Sequence, residues 1–493
     1  MKPPLLLLFF LIVSFVLVGL QFILPKEIQL YGHSLKVFQF SDWLHETQNP
    51  GENLDVEKLL KLQVTAEKLV ENGRQEVDMT DSLQTDTPAD STKGGQILAS
   101  EFHIDSTSGI QFPAGDSTIL QSFFMDLDSL RQRGELARIL HFGDSQIEGD
   151  RITGYLRQRF QQRYGGCGPG LVPLAEEEPS RFSVEMQTSQ LPTRYVLYGK
   201  PTKGPHNQYS VLHSVFRLKA DSSRSGANIR QSFSYKLRSG GYQKSTYFEQ
   251  GKLLLHNSSS PIDLDIRGLE NQVQTRTILP NDSIRLVEIG SQKRRNTLNF
   301  RINSDSKNDF YGVCLDCKSG LAIDNIPLRG SSGMELLKIN PQFLKEQIRL
   351  LNVKLVILQF GVNVVPYESK GYTWYENALV RIIRTIKQAK PDVQVLVVGV
   401  SDMAHKVNGE WQSFDNIELV KAAQYNAARK TNAAFWDLQK VMGGQNAIVA
   451  WAGTVPALAG KDYVHLTPKG AQVIGEFLFQ ALIRAQKRYD VSL

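Results

Sequence analysis

The chain has 493 residues, 41% of them hydrophobic, and 56 Lys/Arg against 50 Asp/Glu give it a net charge of +6. That length allows two or three domains, and the composition is ordinary for a globular protein. Three cysteines, Cys167, Cys314 and Cys317, are too few and odd in number, which excludes a disulfide-built scaffold.

Pro4 to Leu24 runs 21 residues without a charge and is rich in Leu, Phe, Val and Ile. As a helix it would span roughly 30 Å, the thickness of a bilayer's hydrocarbon. Lys2 and the α-amino group precede it, whereas Lys26 and Glu27 nearly cancel after it. The N-terminus is therefore expected to stay cytoplasmic. A cleaved signal peptide is the rival reading. Its apolar core would be unusually long, and the exit Phe22-Ile23-Leu24-Pro25-Lys26 offers no small-x-small cleavage site. Residues 1–25 are thus read as a transmembrane anchor or signal. The rest of the chain is expected outside the cytoplasm, in a bacterial periplasm and tethered to the inner membrane, where nucleic acid is not a partner.

Residues 26–100 are read as a juxtamembrane segment and linker. Ile28 to Leu44 alternates enough for a short strand and turn, and Val56 to Asn72 has helical spacing. Asp78 to Gly95 has almost no apolar residue and reads as a tether. Residues 101–180 begin a globular α/β domain. Ser117 to Arg133 is expected to be helical, Leu136 to Phe142 a buried strand, and Asp150 to Tyr164 a helix.

Residues 181–320 break that rhythm. Short alternating runs such as Tyr209 to Lys219, Gln231 to Leu237, Lys252 to His256 and Ser283 to Ile289 are separated by Gly, Asn, Asp and Ser, as in a β-sandwich. The segment carries 21 Lys/Arg against 11 Asp/Glu, a net +10. Such a surface is either merely solvated or a face for an anionic partner, such as an acidic glycan, a cell-wall polymer or lipid headgroups. Cys314-x-x-Cys317 near its end has redox or zinc-knuckle spacing, but no second Cys/His pair completes a metal site. A local disulfide or two plain thiols remain.

Residues 321–493 resume the α/β pattern. The periodicity predicts helices over Glu335 to Leu350, Trp374 to Lys390, Ile417 to Thr431 and Pro468 to Arg488. Strands are predicted over Lys354 to Phe360, Val393 to Val400 and Ala434 to Leu438. Continuous apolar strands between amphipathic helices imply a parallel sheet covered on both faces. The β-rich segment is then an insertion within one α/β domain.

Four short segments carry chemistry. Ser145, in Gly143-Asp144-Ser145, lies between a buried strand and a helix, where open α/β folds place their ligands. Asp462 and His465, in Asp462-Tyr463-Val464-His465, are spaced so that the carboxylate can meet the ring's Nδ1 and leave Nε2 to take a serine proton. Gly330, in the glycine-rich turn 329–333, and Asn363, in Gly361-Val362-Asn363 after a buried strand, sit where an oxyanion hole is needed. Each string alone is an ordinary turn or cap. Their joint occurrence in the order Ser, Gly, Asn, Asp-x-x-His is the signal.

These segments resemble the sequence blocks of the SGNH (GDSL-type) hydrolase superfamily, over about Leu136 to Gly170 and Asn325 to Arg488. The resemblance implies a flavodoxin-like three-layer α/β/α fold and a serine esterase that needs no metal and no cofactor. It makes Ser145 the nucleophile, His465 the general base and Asp462 its orienting partner, with Gly330, Asn363 and the Ser145 N–H as the oxyanion hole. Two departures are Gln146, where the first block usually continues with leucine, and Val364, where the third block usually has an aspartate. The inserted β-sandwich is similar to the carbohydrate-binding-like module of peptidoglycan O-acetylesterases.

The expected function is that of an exported, membrane-tethered esterase removing O-acyl groups, O-acetyl above all, from an envelope polysaccharide or peptidoglycan. The same site could instead serve an O-acyltransferase with a membrane acyltransferase as partner. A non-catalytic glycan-binding protein with a decayed site is the third reading.

Overall fold

A computed structural model describes residues 27–30 and 33–36. From 109 to 490 it describes everything except 177–180, 198–203, 205, 220–228, 239–241, 269–271 and 291–293. The chain divides into two units, Met1–Leu54 and Asp55–Leu493. In the first, Glu27–Leu30 and His33–Lys36 pair as an antiparallel hairpin within the segment read as strand and turn. The apolar stretch Pro4 to Leu24, the helix expected over Val56 to Asn72 and the tether after it lie outside the described residues. Among the described residues no helix is long and apolar enough to cross a membrane.

The second unit is built on five parallel strands: β1 (Leu136–Gly143), β2 (Gly320–Pro327), β3 (Val353–Gln359), β4 (Gln394–Val398) and β5 (Ala434–Trp436). Their order across the sheet is β2-β1-β3-β4-β5. This is the flavodoxin-like arrangement, in which the chain reverses direction of growth beside β1. Seven of the eight β1 residues are buried, as a strand covered on both faces requires. Its one buried guanidinium, Arg138, is paired with Asp316 and Asp324 at 2.5 Å each.

Helices α1 (Gln121–Arg133), α2 (Arg151–Tyr164) and α6 (Pro468–Asp490) pack together on one face of the sheet. Helices α3 (Pro341–Leu350), α4 (Thr373–Ala389) and α5 (Ile417–Lys430) cover the other. The helix expected over Glu335 to Leu350 is in fact two elements, a 3-10 turn Met334–Lys338 and α3. The reason is local: Asn340 Oδ1 caps the N–H groups of Gln342 and Phe343 at 3.0 and 3.1 Å. Pro341, which has no N–H to give, occupies the first helical position.

Between α2 and β2 the chain builds two antiparallel sheets. One has five strands, running from Val273–Ile278 at one edge to Val184–Thr188 at the other; the second has five strands in line, with Gly170–Val172 joined to Asp309–Asp316. Phe233, Tyr235 and Phe300 of the first sheet meet Leu253, Leu255, Phe310 and Val313 of the second in a shared core. The second sheet also packs on the α/β domain. Tyr311 lies 5.3 Å from Phe343 of α3, and Gln347 of α3 takes the Val211 N–H at 2.8 Å.

The cysteine expectation is corrected. Cys167 and Cys317 form the disulfide, across 150 residues, and Cys314 is a buried free thiol. Cys314 lies within the strand Asp309–Asp316 and Cys317 beyond its end. Three residues of near-extended chain hold two Cα atoms about 10 Å apart, beyond disulfide reach. Cys317 instead meets the loop after α2, where its N–H also donates to the Cys167 carbonyl at 3.3 Å. The bridge therefore joins the two chain segments by which the β-rich insertion leaves and re-enters the α/β domain.

Candidate active site

Strand β1 ends at Gly143, and Ser145 opens a 3-10 turn, Ser145–Asp150, that leads into α2. Ser145 therefore stands at the carboxyl edge of the sheet, beside the switch point between β1 and β3. The turn is held from below. Asp144 N–H donates to Gln359 O at the end of β3 at 3.3 Å, and the Asp144 carboxylate accepts from Gln146 N–H at 3.0 Å. Burial pushes the Asp144 carboxyl up to about 7, although the backbone N–H groups of Gln146, Val362 and Gly361 pull it back. Asp144 thus links the serine turn to the Gly361-Val362-Asn363 segment.

The chain returns to this edge 320 residues later. His465 Nε2 lies 2.8 Å from Ser145 Oγ, and His465 Nδ1 lies 2.7 Å from Asp462 Oδ2. The other Asp462 oxygen accepts from Val464 N–H at 3.1 Å and from His465 N–H at 3.0 Å. Burial opposes ionisation of Asp462, but the His465 ring and these two amides outweigh it and hold its carboxyl below the ordinary carboxylate range. A carboxylate accepting at Nδ1 fixes the proton there and leaves the Nε2 lone pair facing the serine hydroxyl. The turn that makes this possible places Tyr463 at φ +54.

The other two segments meet at the same edge. Leu328 N–H donates to Gly143 O at 2.8 Å, bringing the loop after β2 alongside the end of β1. Arg329 of that loop pairs with Glu148 of the serine turn at 2.7 Å. Gly330 follows at φ +76, a left-handed conformation that side chains other than glycine's adopt only with strain. Asn363 Nδ2 donates to Ser331 O at 3.0 Å, so the glycine and asparagine segments are bonded to each other. One of the two Asn363 amide hydrogens is used in that bond and one remains to be given. Both Gly330 and Asn363 are exposed.

Gly361, at φ +138, has no room for a Cβ, which would lie 2.6 Å from the Val400 side chain. Val364, where an aspartate is usual, is buried in the α/β core and its N–H closes a turn onto Gly361 O at 2.8 Å.

Two residues here have no role that the sequence alone assigns. Gln146 and Arg151, both in or beside the serine turn, bond to the loop carrying His465. The signal for Gln146 is its polarity at an apolar position; nothing local marks Arg151. Among the described residues, one Cys/Asp/Glu/His group is close enough to hold a metal: Cys167, Glu249 and Cys317. Its two sulfurs are already joined to each other.

Residues 302–473 match the model of the GDSL-like lipase/acylhydrolase family. The match includes Gly330, Asn363, Asp462 and His465 but starts after Ser145, from which the β-rich insertion separates it. Among solved structures, the chain is similar to a peptidoglycan O-acetylesterase, with a TM-score of 0.60 and 19% identity, over 77% of this chain and 99% of that one. It also matches a family two carbohydrate esterase from Cellvibrio japonicus, with a TM-score of 0.22 and 11% identity over 62% of this chain and 98% of that one. An acetyl xylan esterase matches with a TM-score of 0.26 and 16% identity over 33% and 81%. No curated protein sequence matches the chain. Motifs and family model agree on an SGNH-type serine esterase domain, and the solved structure with the TM-score of 0.60 shares its fold.

Proposed function

We propose that this chain is an exported esterase, tethered to the membrane by residues 1–25, that removes O-acetyl groups from an envelope polysaccharide or peptidoglycan. The observation that carries the chemistry is the continuous chain of hydrogen bonds from Asp462 through His465 to Ser145. In this reading Ser145 Oγ attacks the ester carbonyl while His465 Nε2 takes its proton. The carbonyl oxygen, now anionic, is held by the Ser145 N–H, the Gly330 backbone and the Asn363 amide. The imidazolium gives its proton to the departing sugar oxygen, which leaves as a free hydroxyl, and an acetyl-serine remains. Water, deprotonated by the same histidine, then releases acetate.

Three observations support the glycan part. The peptidoglycan O-acetylesterase is matched over nearly its whole length. The insertion carries the chain's excess positive charge, which suits an anionic polymer. The Cys167–Cys317 disulfide suits an oxidising compartment outside the cytoplasm.

The test uses the full chain and two substrates, p-nitrophenyl acetate and O-acetylated peptidoglycan. The expected result is acetate released from both, and none above background from Ser145→Ala. Turnover by the wild type no faster than by Ser145→Ala would refute the esterase. Acetyl transfer to an added sugar hydroxyl in preference to water would make the chain a transferase.

A further inference from the structure

The loop that carries His465 leaves no backbone polar group unpaired from Tyr463 to Leu466, and how it achieves this is informative. Tyr463 N–H donates to Gly460 O at 3.0 Å, and Tyr463 O accepts from Ala404 N–H at 2.9 Å. The N–H groups of Val464 and His465 both go to Asp462 Oδ1. His465 O accepts from Gly460 N–H at 2.8 Å. Three groups remain: Val464 C=O, Leu466 N–H and Leu466 C=O. All three are taken by side chains from the turn that holds the nucleophile and the first residue of the helix after it.

Gln146 Nε2 donates to Val464 O at 2.6 Å, and Gln146 Oε1 accepts from Leu466 N–H at 3.3 Å. Arg151 donates to Leu466 O at 3.1 Å and, from its other terminal nitrogen, to Ser145 O. The Gln146 amide thus pairs with the peptide on each side of His465, as a neighbouring strand would. It is 2% exposed, and its further partner is Ser401 Oγ at 3.3 Å.

We propose that Gln146 is a positioning residue: it holds the backbone of the base in register with the nucleophile that precedes it in sequence, and Arg151 reinforces the same registration. Asp462 sets the rotation of the imidazole ring, whereas Gln146 sets where the ring's backbone stands. The leucine usual at this position in the family has neither donor nor acceptor, so this chain holds its base by a means a leucine cannot supply. The proposal rests on the reading of Ser145 as nucleophile and His465 as base.

Two variants of the full chain test it. Gln146→Met keeps the length and removes both hydrogen bonds; Gln146→Glu keeps an acceptor for Leu466 N–H and loses the donor. For each, kcat and KM on p-nitrophenyl acetate, the rate of fluorophosphonate labelling at Ser145, and the thermal midpoint are measured. A displacement on the order of 1 Å at a reacting group costs roughly a hundredfold. The expected results are therefore a roughly hundredfold fall in kcat for Gln146→Met and at least a tenfold fall for Gln146→Glu. KM should stay within twofold, and labelling rates should fall in parallel with kcat.

A variant that melts with the wild type and keeps kcat and labelling within twofold overturns the proposal, and Gln146→Glu decides the question where Gln146→Met does not fold. If the wild type is labelled but cleaves no acetyl ester, the esterase reading fails while the labelling rates still judge Gln146. A wild type that is not labelled overturns both.

Discussion

Replacing Asp462 by asparagine should damage the enzyme more than removing the side chain altogether. The two Asp462 oxygens have different partners: Oδ1 accepts from two backbone N–H groups at 3.0 and 3.1 Å, and Oδ2 faces His465 Nδ1 at 2.7 Å. An asparagine would keep its single oxygen on the two amides. Turning it over would set an NH2 against two N–H donors and give up both hydrogen bonds, at a cost of about 1 kcal/mol each. The NH2 would therefore face Nδ1 and donate to it, so the ring's own proton moves to Nε2. That proton then faces Ser145 Oγ, and the base has no lone pair to offer. In a serine protease the same exchange costs roughly 10⁴ in kcat, for the same reason of tautomer. On the order of 10³–10⁴ is expected here. With alanine, Nδ1 meets only water, because this carboxylate is half-exposed. The ring is then free to choose its tautomer. The wrong-tautomer hydrogen bond is worth about 1–1.5 kcal/mol, so Asp462→Asn should lie roughly tenfold below Asp462→Ala in kcat. Steady-state rates on p-nitrophenyl acetate decide it. Asparagine activity equal to or above that of alanine would refute the assigned division of the two oxygens.

Further outcomes are expected elsewhere in the molecule. Asn363→Ala should lower kcat by roughly 10²–10³, the loss typical of one oxyanion donor, with KM on the same ester little changed. The Cys167–Cys317 bridge closes a loop of 150 residues, for which chain entropy gives about 5 kcal/mol. Cys167→Ser, or reductant on the wild type, should lower the urea midpoint accordingly, and mass spectrometry without reductant should show the bridge intact in Cys314→Ser. The buried Asp144 carboxyl, raised to about 7, keeps a proton that the unfolded chain releases near pH 4. Wild-type stability should therefore fall as pH rises from 4 to 7, by up to about 4 kcal/mol. Urea midpoints of Asp144→Asn across that range should lack this slope.

The parts of this molecule that can be read in its sequence are those fixed by contiguous residues. Within the strands Val353–Gln359 and Gln394–Val398, Leu355 to Leu358 and Val395 to Val398 are uninterrupted apolar runs because parallel strands are buried on both faces, and the edges of the helices between them are set by local periodicity. The Asp462-x-x-His465 spacing is equally local: one turn brings the carboxylate to the ring, so the string itself encodes the contact. The break before α3 is also written locally, in Asn340-Pro341, but the apolar period on either side of it suggests a single helix. The disulfide cannot be read in this way. Cys314 and Cys317 look like a pair only if the chain turns between them, and here the strand Asp309–Asp316 runs straight through Cys314. The true partner, 150 residues away, is a matter of topology.

The same distinction explains how a site survives being divided by a large insertion. Ser145 and His465 lie 320 residues apart in sequence, and the insertion between them has its own core. What keeps them in register does not pass through that insertion. Helices α2 and α6, which follow the serine turn and the histidine loop respectively, pack on each other, with Phe160 of α2 edge-on to Phe479 of α6 at 5.1 Å. That packing brings the two loops near each other but cannot set them to a few tenths of an ångström. Gln146 and Arg151 supply the remainder, because their hydrogen bonds join the two loops directly at the reacting groups. Meanwhile the Cys167–Cys317 bridge ties the insertion's entry to its exit, and the second sheet's packing on α3 holds the module against the α/β domain. A β-module of this size can therefore vary in sequence and surface charge while the geometry at Ser145 stays fixed by residues that flank it.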